Sequence, residues 1–145
     1  MKFFITLSKR HLFIITAALI AALLTAGSIY SATSGKIDGS TNASRVGYIR
    51  RLGYHVNETA VSVKEITIPQ DFGQVYAKYN DLQKKAGFDL ADHKGEKATV
   101  YCYELSFDKG VNVHLIVSDS VVIGGDVSQV KLDGEMKPLL KNDGY

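Results

Sequence analysis

Cys102 and His114 are a pair of side chains that could support nucleophilic chemistry, because a thiol becomes a nucleophile when an imidazole stands within hydrogen-bond reach. By pattern they fall on adjacent strands, so register decides whether they meet. If the Asp108-Lys109-Gly110 turn pairs Ser106 with Val111, Tyr103 faces His114 and Cys102 faces Leu115. Cys102 and His114 then point to opposite faces of the sheet, which argues against the pair. Cys102 is also the sole cysteine, so no internal disulfide can form and a buried structural thiol is expected. Asp89, Asp92 and His93 cluster in sequence and could ligate a divalent cation, but a solvated loop explains them more simply. The four histidines, His11, His55, His93 and His114, include no i, i+4 pair and no neighbouring CxxC. The expectation is no metal, no cofactor and no catalytic residue, since nucleophile-elbow, zincin, phosphate-loop and dinucleotide fingerprints are all missing from the sequence. Tyr76, Tyr79, Tyr101, Tyr103 and Asp126 are the candidate ligand-binding residues. The competing reading makes the tyrosines, with Phe107, part of a helix–sheet core with their hydroxyls at its edge.

The elements that position these residues follow from periodicity. Val46, Ile49 and Leu52 predict a helix over 42–52, capped by Thr41 or Asn42 and stopped by Gly53. Arg45, Arg50 and Arg51 are expected on its solvated side. A β-branched stretch, 61–68, predicts a bulged or edge strand ended by Pro69. A second helix is predicted over 70–86, with Phe72, Val75, Tyr76, Tyr79 and Leu82 on one stripe and Gly87 past its end. From Lys97 onward the chain reads as a meander: strands over 98–107, 111–118 and 121–127, joined by Asp108-Lys109-Gly110 and Asp119-Ser120. Gly124-Gly125 predicts a bulge or a close backbone approach. Met136, Leu139 and Leu140 are expected as last core contacts. The order α-β-α-β-β-β predicts an α+β domain with both helices on one face of an antiparallel sheet.

Ile68-Pro69, Phe72, Val75-Tyr76, Tyr79-Asn80, Leu82-Gln83, Gly87-Phe88-Asp89-Leu90, the Tyr-rich strand and Ile123-Gly124-Gly125-Asp126 resemble the bacterial family domain of unknown function 4830. The resemblance covers roughly residues 44–140. It implies a module that follows a single N-terminal membrane segment, and it carries over no activity and no catalytic residues.

The N-terminal residues agree with that implication. Between His11 and Lys36 there is no charged side chain, and residues 12–30 approach the roughly 20 apolar residues a helix needs to cross a bilayer. The organisation expected is a cytoplasmic segment 1–11, a transmembrane anchor or signal segment 12–32, a flexible spacer 33–41 and an extracytoplasmic domain 42–145. Lys2, Lys9 and Arg10 precede the run, which keeps the N-terminus inside by the positive-inside rule. Cleavage near Ser28 would instead give a secreted domain, because the strongest apolar stretch is also of signal length. Of the seventeen basic residues fourteen follow the run, against all fifteen acidic ones, so the domain is near neutral and nucleic-acid binding is excluded. The function expected is a membrane-anchored, non-catalytic binding or regulatory module of the bacterial envelope, with an envelope protein as candidate partner. The alternatives are a small envelope hydrolase and a secreted ligand-binding domain.

Overall fold

A computed structural model of the protein describes residues 35–131 and 133–142. The expected cytoplasmic segment and anchor lie outside these residues. Among those described, no helix is long and apolar enough to cross a membrane. The chain divides at Lys36, and a compact unit begins at Ile37.

That unit is α+β, with helix α1 (Asn42–Arg51), strand β1 (Ser62–Thr67), helix α2 (Gln74–Lys85), a 3-10 turn (Leu90–His93), and strands β2 (Lys97–Glu104), β3 (Val111–Ser118), β4 (Val121–Gln129) and β5 (Met136–Pro138). The five strands form one antiparallel sheet in sequence order. β1 is an edge strand, and its exposed Lys64 and Glu65 blunt that edge against further pairing. β5 at the other edge is only three residues long and was not predicted. Thr41 caps α1 by accepting from Ser44 N, and Gly53 follows its C-terminus at φ 86°, as the sequence predicts. Asp119 and Ser120 both have positive φ (45° and 66°), the conformation of a two-residue hairpin turn that follows the sheet's twist.

The two helices do not share a face. β3 places Val113, Leu115 and Val117 on one side with Tyr103, where Val46 and Ile49 of α1 cover them. Ile116 lies on the other side with Ala98 and Ile68, where Tyr76 and Tyr79 of α2 pack. The central strands are apolar on both sides, and a ten-residue helix is only about 15 Å long, so each face takes one helix. Fully burying Ile49 and Leu115, both 0% exposed, contributes about 1.5–3 kcal/mol each.

Three boundaries differ from expectation. The last part of the predicted spacer lies on the sheet: Ile37 packs against the core and Gly39 N donates to Ser120 O at 2.8 Å. α2 starts at Gln74 with Gly73 as N-cap, so its inward stripe is Tyr76, Tyr79, Asn80 and Gln83, while Val75 is 85% exposed. At the C-terminal end Leu139 is buried, whereas Met136 and Leu140 are about half exposed.

Candidate functional site

The β2–β3 hairpin closes one residue away from its predicted register. Ser106 N donates to His55 O at 2.8 Å, so it leaves the ladder, and Leu105 N donates to Val111 O across a loop of residues 106–110. A one-residue slip turns a strand's whole set of side chains over. Cys102 therefore stands opposite His114, and His114 opposite Asp126 on β4. The expected separation of Cys102 and His114 onto opposite faces is thus overturned, and a thiol, an imidazole and a carboxylate share one row on the α2 face. Directly opposite side chains in such a row have Cβ atoms about 4.5–5.5 Å apart.

Asp126 is the hub of this row. It is 3% exposed, its Oδ1 lies 2.9 Å from His114 Nδ1, and its Oδ2 accepts from the Tyr79 hydroxyl at 2.8 Å. In the tautomer that donates Nδ1–H to the carboxylate, assigned from these bonds, Nε2 of His114 is left as an acceptor. That is the base-and-orienter half of a nucleophilic triad. The other half fails on electrostatics. Burial pushes the Cys102 thiol up from its usual pKa, and the charges of Asp126 and Glu104 push it further. Asp126 thus orients the imidazole and disfavours the thiolate at once. Tyr79 is pushed far above the tyrosine range by burial and then by the Asp126 charge, so it remains a donor.

Gly124-Gly125 sets the depth at which α2 sits. Ile123 is the extra residue where Ile116 pairs with Gly124 and Val117 with Val122, which is the bulge the two glycines predict. Gly125 N then donates to Gln83 Oε1 at 2.8 Å, and a Cβ at Gly124 would meet that same oxygen at 3.0 Å. Gln83 is fully buried, and its Nε2 has no hydrogen-bond partner among the described residues.

Tyr101 and Tyr103 belong to the opposite face, beneath α1. Tyr103 is 0% exposed; its hydroxyl accepts from Arg45 Nε and donates to Asn42 Oδ1, both at 2.9 Å. The Arg45 guanidinium lies 3.6 Å above the Tyr101 ring and donates through Nη1 to Gly39 O at 2.7 Å. Arg45 is only 7% exposed, which corrects its expected solvated position. Its spacing carried the signal: with Asn42, Val46 and Ile49 it completes the i, i+3, i+4, i+7 stripe that faces the sheet. The five candidate binding residues therefore split into two groups, Tyr76, Tyr79 and Asp126 on one side and Tyr101 and Tyr103 on the other.

Asp89 turns out to be a capping residue. Its Oδ1 accepts from Asn80 Nδ2 and Ala91 N, and His93 Nδ1 pairs with Glu96. Among the described residues no group of three His, Cys, Asp or Glu could hold a metal ion. Two clefts lie elsewhere. A cleft of about 480 Å³ opens where α1 leaves β1 and β2 uncovered, lined by Glu65, Thr67, Lys97, Thr99, Tyr101 and the Gly39-Ser40 wall, among others. A cleft of about 930 Å³ opens at the far end of the strands between Tyr54, Leu105, Val111 and Val127, with Phe107 90% exposed and edge-on to His55 at its rim. Cys102, His114 and Asp126 line neither.

The family model described as Domain of unknown function (DUF4830) matches residues 48–127, a stretch that takes in Tyr79, Cys102, His114 and Asp126 but ends before β5. No curated protein and no solved structure matches the chain.

Proposed function

The chain belongs to the family described as Domain of unknown function (DUF4830), and within it we propose a binding module without catalysis of its own, held at the bacterial envelope by its apolar N-terminal segment. One observation carries this reading. The titratable row, Cys102, His114 and Asp126, lines neither cleft, whereas an active site needs reactive groups and a concave surface in one place. The thiol of that row is held protonated by burial, and its carboxylate is consumed by two internal hydrogen bonds. The Tyr79 bond ties α2 to the sheet and the His114 bond joins β3 to β4, and both clefts lie away from them. The uncharged run between His11 and Lys36 and the basic residues before it support the tether.

Crosslinking of the full-length chain in intact cells, with partners identified by mass, tests the module. A discrete partner captured by the wild-type chain and lost when residues 12–32 are replaced by a soluble leader is the expected result. Turnover of an envelope substrate by the purified full-length chain, abolished by His114→Ala in a folded variant, would overturn it in favour of the hydrolase.

A further inference from the structure

Resting on that module reading, we infer that the cleft beside α1 is a saccharide site, its ligand a short, uncharged oligosaccharide. The pairing of β1 with β2 sets Glu65 opposite Thr99 and Thr67 opposite Lys97, with Tyr101 next along the same face. Asp119 and Ser120 also line the cleft. Charge selects the ligand first. Glu65 and Asp119 carry two negative charges against Lys97 in the cleft and the Arg45 guanidinium stacked on Tyr101, so an anion or a cation gains little net attraction there. Hydrogen-bonding capacity selects it next. Carboxylate acceptors, an ammonium donor and hydroxyls that do both suit a ligand whose own hydroxyls each donate and accept. Val117, which also lines the cleft, offers an apolar contact for the C–H face of a sugar ring. At about 480 Å³ the cleft lies within the ordinary range of about 300–1,000 Å³ for small-ligand sites. Hydroxyls and charges outnumber apolar side chains around it, which disfavours an apolar ligand. The Arg45 clamp on Gly39 holds the wall in place before any ligand arrives, so little ordering is needed on binding.

The test is calorimetric titration of the full-length chain, held in a detergent without sugar headgroups, with soluble oligomers of glucose, mannose and N-acetylglucosamine and, separately, with inorganic phosphate. Saturable binding of at least one oligosaccharide, weakened tenfold or more by Glu65→Gln and by Thr99→Val with the urea midpoint unchanged, is the expected result. Both substitutions keep side-chain size in an open cleft, so loss of binding reports lost hydrogen bonds. Binding of phosphate alone, binding of no oligosaccharide, or wild-type affinity in both variants overturns the inference and leaves the module reading to its crosslinking test. Conversion of a bound sugar to products, abolished by His114→Ala, would overturn the module reading as well.

Discussion

Asp126 decides what the α2 face can do, because one buried carboxylate bonds both His114 and Tyr79 while repelling charge on Cys102. Removing one donor from a buried carboxylate costs about 1–3 kcal/mol, more than the net worth of an ordinary hydrogen bond. Tyr79→Phe should therefore lower stability by that amount with little cavity term, read as a shift of the urea midpoint at constant slope. A shift near zero would mean that water replaces the hydroxyl. The raised pKa of Cys102 has a separate consequence for reactivity, since only the thiolate is nucleophilic. Native protein at pH 7.5 should react with iodoacetamide far more slowly than free cysteine, and unfolding in urea should restore the ordinary rate. Rapid alkylation of the native chain would place an activated thiolate where the geometry puts a protonated thiol.

At the scale of elements, turns and caps carry conformations that a single substitution can test. Gly53 ends α1 at φ 86°, and a Cβ there would sit 2.6 Å from the backbone oxygen of Asn142, whose own N donates to Leu52 O. Gly53→Ala must therefore bear both left-handed strain and a backbone clash, and a loss above about 1 kcal/mol is expected in equilibrium unfolding. Ser120→Gly runs the other way: Ser120 holds φ 66° in a two-residue turn that favours glycine at its second position, so the midpoint should hold or rise. These positions were legible in the sequence because caps, turns and period-two strands are local signals. The four longest strands, both helices and the Gly-Gly bulge were read from such signals. Register and face were not, because both depend on distant residues. Ser106 leaves the ladder only because His55 O takes its N–H, and that bond brought Cys102 opposite His114. The helices took opposite faces because both sides of β3 are apolar, which the alternation Val113-His114-Leu115-Ile116-Val117 half concealed behind His114. For Arg45 the helical spacing carried the inward position, but its partner did not show in the sequence, because the Tyr101 ring on which its guanidinium stacks is set by strand register.

For the whole molecule, titration sets two limits to stability, and their signs differ. Asp38 is brought down to about 2 by hydrogen bonds from Ser44 and Ser40, Glu96 is lowered first by its bond to His93, and Asp89 is lowered first by Asn80. A carboxylate whose folded pKa lies below its unfolded value contributes stability above the unfolded value, about 4, and loses it as pH falls toward the folded one. Because Asp38 is exposed and Asp89 and Glu96 are only partly buried, their contribution is small and screened by salt, so the acid limb should be shallow and steeper at low ionic strength. Tyr79 and Cys102 act at the other end. Their folded pKa values are raised, so their contribution is intact below the unfolded values, about 10 and 8.5, and declines as pH rises past them. Tyr79 is the larger of the two, since its hydroxyl is buried against a carboxylate that would face a second negative charge. The urea midpoint should thus form a plateau from about pH 5 to 8, fall gently below about 4 and fall more steeply above about 10. In Tyr79→Phe the alkaline limb should flatten while the acid limb keeps its course, because the substitution removes the group that titrates on one side only. An alkaline limb unchanged in Tyr79→Phe would show that the Tyr79–Asp126 bond does not hold α2 to the sheet in solution.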